Sequence, residues 1–251
     1  MVRTLHRSMF IVLLMTLLAA GCAAPTPRGS QAEVHYLLGV AYLQEENPTR
    51  ALDEFLKAAA LNPNHADIQA GLGQAYQLKG AFQEAERHYR RALQLRPNDP
   101  TLENNLGSLF LDMKRPEQAL PFFEKAAATL TFTRPEAALT GIGIARAMQG
   151  DHLGALGAYR QALDKNPRYL EAYLRTAEAH RALDDDARAI VALEQALERA
   201  PNLARGHFQL GMIYMEDGQP ELAAEFFDRV RQLVPDTELA RRADQYLKVL
   251  R

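Results

Sequence analysis

The chain has 251 residues, with 29 Lys and Arg against 31 Asp and Glu, a net charge of −2, and a single cysteine. That balance leaves no basic footprint for a nucleic acid. One cysteine cannot form an intrachain disulfide. Hydrophobic residues make up 47% and charged residues 24%, the proportions of an ordinary folded protein rather than a low-complexity one.

The first segment reads as an address. Arg3 and Arg7 precede an apolar run from Met9 to Ala20, broken only by Thr16. A basic start, a short apolar stretch and small residues at its end predict a secretory signal over residues 1–21. The run is shorter than the ~20 residues a membrane-spanning helix needs. Leu18-Ala19-Ala20-Gly21-Cys22 resembles the bacterial lipobox. That resemblance implies cleavage before Cys22 and lipid on its sulfur and its new amino group. Losing residues 1–21 removes two positive charges and no acid, so the mature chain would carry −4. Anionic lipid would not attract it, which leaves the lipid itself as the membrane anchor. Ala23 rather than Asp follows Cys22, which resembles lipoproteins of the outer membrane, with the body in the periplasm. Pro25, Pro27, Gly29 and Ser30 make residues 22–31 a non-helical tether.

The body repeats. Leu38-Gly39, Leu72-Gly73, Leu106-Gly107, Ile142-Gly143 and Leu210-Gly211 are spaced by 34, 34, 36 and 68 residues. The missing member falls at Thr176-Ala177. Twelve residues after each glycine place comes an alanine: Ala51, Ala85, Ala119, Ala155, Ala189 and Ala223. A ring follows four places later at Phe55, Tyr89, Phe123, Tyr159 and Phe227, with Leu193 as the exception. Pro63, Pro97, Pro167, Pro201 and Pro235 close every unit but the third. This is the tetratricopeptide repeat (TPR) pattern at its own period. It predicts an all-α superhelical solenoid over residues 32–236. Its six helix-turn-helix units start at 32, 66, 100, 136, 170 and 204.

Within a unit the glycine lets the two helices approach, and the proline, lacking an N–H, ends the second. An amphipathic stretch at 237–251, with Leu239, Ala243, Tyr246, Leu247 and Leu250 on one side, is expected to cap the array. Two irregularities stand out. Thr129 to Pro135 makes unit three two residues longer than the period, and unit five has a degenerate first helix. Either could bend the array or be neutral drift.

Chemistry is sparse. No two histidines stand at i, i+4, and no cysteine joins them, so no metal site is expected. Asp184-Asp185-Asp186 lacks the glycine and closing glutamate of a calcium loop. No P-loop, dinucleotide fingerprint or nucleophile elbow occurs. The reading is a protein-binding protein, not an enzyme, with no cofactor and no small-molecule substrate.

The first helices of TPR units line the concave face. The inward places give Tyr36, Val40 and Leu43 in unit one and Leu78 in unit two. Asn104, Ser108 and Leu111 follow in unit three, and Thr140, Ile144 and Met148 in unit four. Leu174, Glu178 and Arg181 come from unit five, and Phe208, Met212 and Met215 from unit six. This predicts a largely apolar, methionine-rich groove suited to an apolar segment of a partner.

Unit three carries a more specific likeness. Leu102-Glu103-Asn104-Asn105-Leu106-Gly107, then Arg115, Ala119, Phe123 and Ala126, then Arg134-Pro135-Glu136, resembles the type IV pilus biogenesis lipoproteins of the PilF/PilW family. Phe132 and Gly141 stand where that family has Tyr and Asn. The resemblance implies a pilotin: a lipoprotein that carries secretin subunits to the outer membrane and promotes their assembly. The alternative is a general cell-envelope adaptor that scaffolds cell-wall enzymes or proteases.

Overall fold

The computed structural model describes residues 28–250. Among these the chain forms thirteen helices and no strands. Unit one pairs α1 (Arg28–Gln44) with α2 (Pro48–Leu61), and unit two pairs α3 (Ala66–Leu78) with α4 (Phe82–Leu95). Unit three holds α5 (Pro100–Asp112) and α6 (Pro116–Ala128); unit four holds α7 (Pro135–Met148) and α8 (His152–Lys165). Unit five holds α9 (Leu170–Arg181) and α10 (Asp186–Arg199); unit six holds α11 (Ala204–Glu216) and α12 (Pro220–Leu233). The last helix, α13 (Glu238–Leu250), lays Ala243 and Leu247 against Phe227 and Val230 of α12. Helices touch partners in their own unit or the adjacent one, the one-dimensional contact pattern of a solenoid.

Helix starts follow local chemistry. Proline occupies the first turn of α2, α5, α6, α7 and α12, where no N–H is needed. Asn47, Asp99, Asp151 and Asp185 cap their helices by accepting from backbone N–H groups two or three residues on. The first helix of every unit ends the same way. The N–H of Asn47, Ala81, Arg115, Asp151, Asp185 and Gln219 each bonds a carbonyl five residues back, at 2.8–3.0 Å. This Schellman closure needs a left-handed residue just before the donor. Gly80, Gly150 and Gly218 supply it in three units, while Glu46, Lys114 and Asp184 are forced to φ of 56–58° in the others.

The core is a row of rings seated in glycine notches. A Cβ built on Gly73 would stand 2.7 Å from the Tyr89 ring, and one on Gly143 would stand 2.2 Å from the Tyr159 ring. Phe55 fills notches at both Gly39 and Gly71, and Phe123 at both Gly107 and Gly141. So the glycine accepts a side chain of the second helix and, in these cases, locks one unit to the next. Unit five solves the same contact with the opposite pair: Ala177 replaces the glycine and Leu193 replaces the ring, both buried together. Its degenerate signature is thus a compensated exchange, and α9 remains a regular helix.

Two features differ from the sequence expectation. Helix α1 begins at Arg28, so Arg28 to Gln31 are helical and not tether. The two-residue insertion is not an idle loop. Phe132 folds back into the core cluster that holds Phe123 and Leu139, while Leu130, two residues earlier, is fully exposed.

Candidate protein-binding groove

The first helices of successive units face one another across the inner side of the array, and three cavities follow that line. The one at the amino-terminal end, about 460 Å³, is floored by Tyr36, Val40 and Leu43 of α1. Its far wall is Ala70 and Gln74 of α3 with Asn105 of α5. Arg96 stands at its edge, held by Asp67 at 2.7 Å and Asp99 at 3.0 Å. Burial, helped by Asp67 and Glu33, raises the Tyr36 hydroxyl pKa, so it stays a neutral donor in the groove.

The middle cavity, about 250 Å³, places Ile144 and Met148 of α7 opposite His152, Tyr159 and Arg175. The carboxyl-terminal cavity, about 440 Å³, has Phe208, Met212 and Leu239 as its apolar surface. Arg181, Arg205 and Arg242 ring it. Arg242 comes from the capping helix and lies 4.8 Å over the Phe208 ring, so the cap builds one wall of the groove.

Several predicted groove residues therefore come together: Tyr36 with Val40 and Leu43, Ile144 with Met148, and Phe208 with Met212. Leu78 is exposed but lines none of these cavities. Asn104, Ser108 and Leu111 are half-buried, and it is the neighbouring Asn105 that reaches the cavity. Met215 is half-buried against Phe227 and its cluster. Thr140 and Leu174 do not belong to the groove. Both are buried to 2% exposure or less. Adjacent first helices touch directly along α5, α7 and α9, and Leu174 packs with Ala177 and Leu210 of the next unit. Phe208 is itself nearly buried, offering only part of its ring.

The groove is also less apolar than the inward places suggest. Glu171 accepts from Arg175 at 2.8 Å and from Arg205 at 2.7 Å, linking units five and six. Burial pushes the Glu171 pKa up, but its bonds to Arg205 and Arg175 outweigh this and hold it below the usual carboxylate range. Arg175 also bonds Glu178, and Arg181 bonds Glu216. Glu178 and Arg181 were among the inward places of the sequence; Asp67, Glu171 and Arg205, at the second place of units two, five and six, were not. Of the Arg134-Pro135-Glu136 motif, Glu136 is buried and accepts from Asn166 at 3.4 Å, inside its own unit.

Among the described residues no group of three or more His, Cys, Asp or Glu could share a metal ion. Two histidines have close side-chain partners: His35 contacts Glu54 at 2.6 Å, and His88 contacts Gln69 at 2.7 Å. Among the same residues no helix is long and apolar enough to cross a membrane. The signal segment and Cys22 lie outside the described residues.

Comparison with known proteins agrees with this architecture. Tetratricopeptide repeat profiles match residues 20–66, 36–100 and 71–138, then 146–207 and 204–237. Anaphase-promoting complex subunit 3 of Schizosaccharomyces pombe is 25% identical over 191 residues, which are 76% of this chain and 23% of that protein. The chain thus spans about a quarter of that relative's length. The type IV pilus assembly protein PilF of Pseudomonas aeruginosa is 30% identical over 92 residues, 37% of this chain and 36% of PilF. Its solved structure superposes with a TM-score of 0.67 at 19% identity, covering 87% of this chain and 98% of PilF. The structure of PilW, a type IV pilus biogenesis factor, gives a TM-score of 0.73 at 21% identity, covering 84% of this chain and 97% of PilW. Six stacked helix pairs, ring-in-notch packing and profile matches along most of the chain make this an all-α member of the tetratricopeptide repeat family, a scaffold for protein–protein interaction.

Proposed function

We propose that the chain is a lipid-anchored pilotin of the type IV pilus, holding an apolar segment of an outer-membrane secretin subunit in its concave groove. The observation that carries the reading is the amino-terminal cavity. There Tyr36, Val40 and Leu43 form an apolar floor while Gln74, Asn105 and the Tyr36 hydroxyl offer hydrogen bonds at its edge. An apolar floor edged by polar and charged side chains, Asp67, Arg96 and Asp99 among them, accepts a partner helix or strand and fixes its register. The likeness to PilF and PilW and the sequence around Asn104-Asn105 support the assignment to pilus assembly. The lipobox at Leu18 to Cys22 supports an anchor in the outer membrane.

A deletion strain tests the reading. Surface pili and assembled secretin multimers should fall together on deletion, and the native gene should restore both. A Val40→Glu, Leu43→Glu variant should fail to restore them, because each carboxylate would be desolvated against an apolar segment. Its body should still fold, since both side chains are only half-buried. Normal multimers in the deletion strain would overturn the pilotin and leave the general envelope adaptor. Cys22→Ser should release the protein from the membrane fraction or leave it unprocessed; retention at the outer membrane as before would overturn the anchor.

A further inference from the structure

The two ends of the solenoid are finished differently. At the carboxyl end, α13 covers α12 and turns Arg241, Gln245 and Lys248 to solvent. At the amino end nothing among the described residues covers α1. Val34 and Leu37 are each 56% exposed and Leu38 is 42% exposed. With Ala41, also exposed, they stand at i, i+3, i+4 and i+7, a single stripe along the helix.

The places these residues hold in the repeat explain what the stripe is. One period later they correspond to Ile68, Gly71, Leu72 and Ala75, all buried. Those residues dock on Phe55 and Ala58 of the preceding second helix. Among the described residues, unit one therefore presents a complete stacking surface with no preceding helix to receive it. Exposed apolar surface of this kind marks a contact.

We propose that this stripe rests on the surface of the lipid bilayer, α1 lying in the interface as the membrane-facing end of the solenoid. The inference rests on the lipid-anchor reading of Cys22 and goes beyond it. Only residues 23–27 separate Cys22 from α1, a reach of at most about 18 Å when extended. Val34 lies six residues into the helix, a further ~9 Å. An acyl chain at Cys22 would hold the bare end of the array at the leaflet, where the exposed stripe of Val34, Leu37 and Leu38 can bury among headgroups. Glu33 and Glu45 flank the stripe and are exposed, so the surface suited to it is zwitterionic rather than anionic. Head-to-tail pairing with a second copy would set the stripe against the exposed Arg241, Gln245 and Lys248 of α13, a poor match for it.

The test uses the lipidated full chain in vesicles of phosphatidylcholine and phosphatidylethanolamine. Lipidation consumes the only native thiol, so an introduced cysteine is unique. Leu37→Cys and, independently, Val34→Cys carry an environment-sensitive fluorophore, and Val249→Cys, on the opposite end and 79% exposed, serves as the reference. Nitroxide-bearing lipids should quench the labels on α1 at least twofold and leave the Val249 label unchanged. Equal, weak quenching at all three sites would overturn the proposal while leaving the anchor intact. Shielding of the α1 labels without lipid quenching, together with disulfide cross-linking between Leu37→Cys chains, would assign the stripe to a second copy and also overturn it. A Cys22 thiol that reacts with maleimide in the unsubstituted chain would show that the anchor reading itself has failed, and the proposal would fall with it.

Discussion

Replacing Gly143 by Ala separates packing from helix propensity. In an open helix the change is favourable by about 0.5–1 kcal/mol, because glycine loses more backbone freedom on folding. Gly143 is not in the open. Its new Cβ would lie 2.2 Å from Cε1, 2.5 Å from Cδ1 and 2.8 Å from Cζ of Tyr159. The ring is buried at 2% exposure and packed with Ala155 and Ala179, so it cannot swing aside as the end of a flexible chain would. Overpacking of this kind costs about 1–3 kcal/mol, and a contact this short belongs in the upper half of the range. The net expectation is a loss of about 1–2 kcal/mol, read as a lower urea midpoint at unchanged slope. Gly157, one helix on, has nothing within 4 Å of its built Cβ, and Gly157→Ala should instead gain about 0.5–1 kcal/mol. Unit five indicates the rescue. Adding Tyr159→Leu to Gly143→Ala recreates the Ala177–Leu193 pair, and the double variant should be at least ~1 kcal/mol more stable than the sum of the single effects implies. A Gly143→Ala gain equal to that of Gly157→Ala, or costs at positions 143 and 159 that simply add, would refute the ring-in-notch contact as the cause.

The left-handed turn residues give a second test. Lys114→Gly should stabilise by about 0.5–1 kcal/mol, since relief of the left-handed strain at φ 58° exceeds the entropy cost of glycine. Gly80→Ala, at φ 74°, should cost about 1 kcal/mol, both read from urea midpoints. Stability should also depend on pH through His88 and His180. Burial lowers both pKa values in the folded state, with Arg87 adding to the effect at His88. The unfolded chain therefore binds these protons first, so their stabilisation is full above about pH 6.5 and declines as pH falls below it. His88→Gln should flatten the decline between pH 7 and pH 5; an unchanged slope would show that His88 does not drive it.

The repeat was legible because its signals are redundant. Glycine, alanine, ring and proline recur at fixed offsets, and losing one, as at Thr176-Ala177, leaves the others to hold the register. The compensation inside unit five was not legible, because Ala177 and Leu193 each read as a loss until their contact is known. The tether was placed four residues too long for a similar reason. Gly29 and Ser30 favour a turn in isolation, but α1 extends back through them. The groove was legible only in part. Inward places were counted as though each first helix faced the cavity equally, yet direct contact between neighbouring first helices covers Thr140, and Leu174 is taken up by the unit that follows. The polar edge went unseen because Arg96 lies at the end of a second helix. Only folding brings it to Asp67, 29 residues earlier.

The neighbour-only contacts of the array also decide how it carries mechanical load. Force enters a stack of this kind at one point and leaves at another, and every unit between those points is in series. If α1 is the fixed end and a partner pulls from the amino-terminal cavity, the load path runs through units one to three and stops there. On that path the joint between units one and two is the seat of Phe55 between Gly39 and Gly71, flanked by the hydrogen bonds of Lys79 to Thr49 and of Arg91 to Asn64. Units four to six and the cap hang beyond the loaded stretch, free to rock without disturbing the grip.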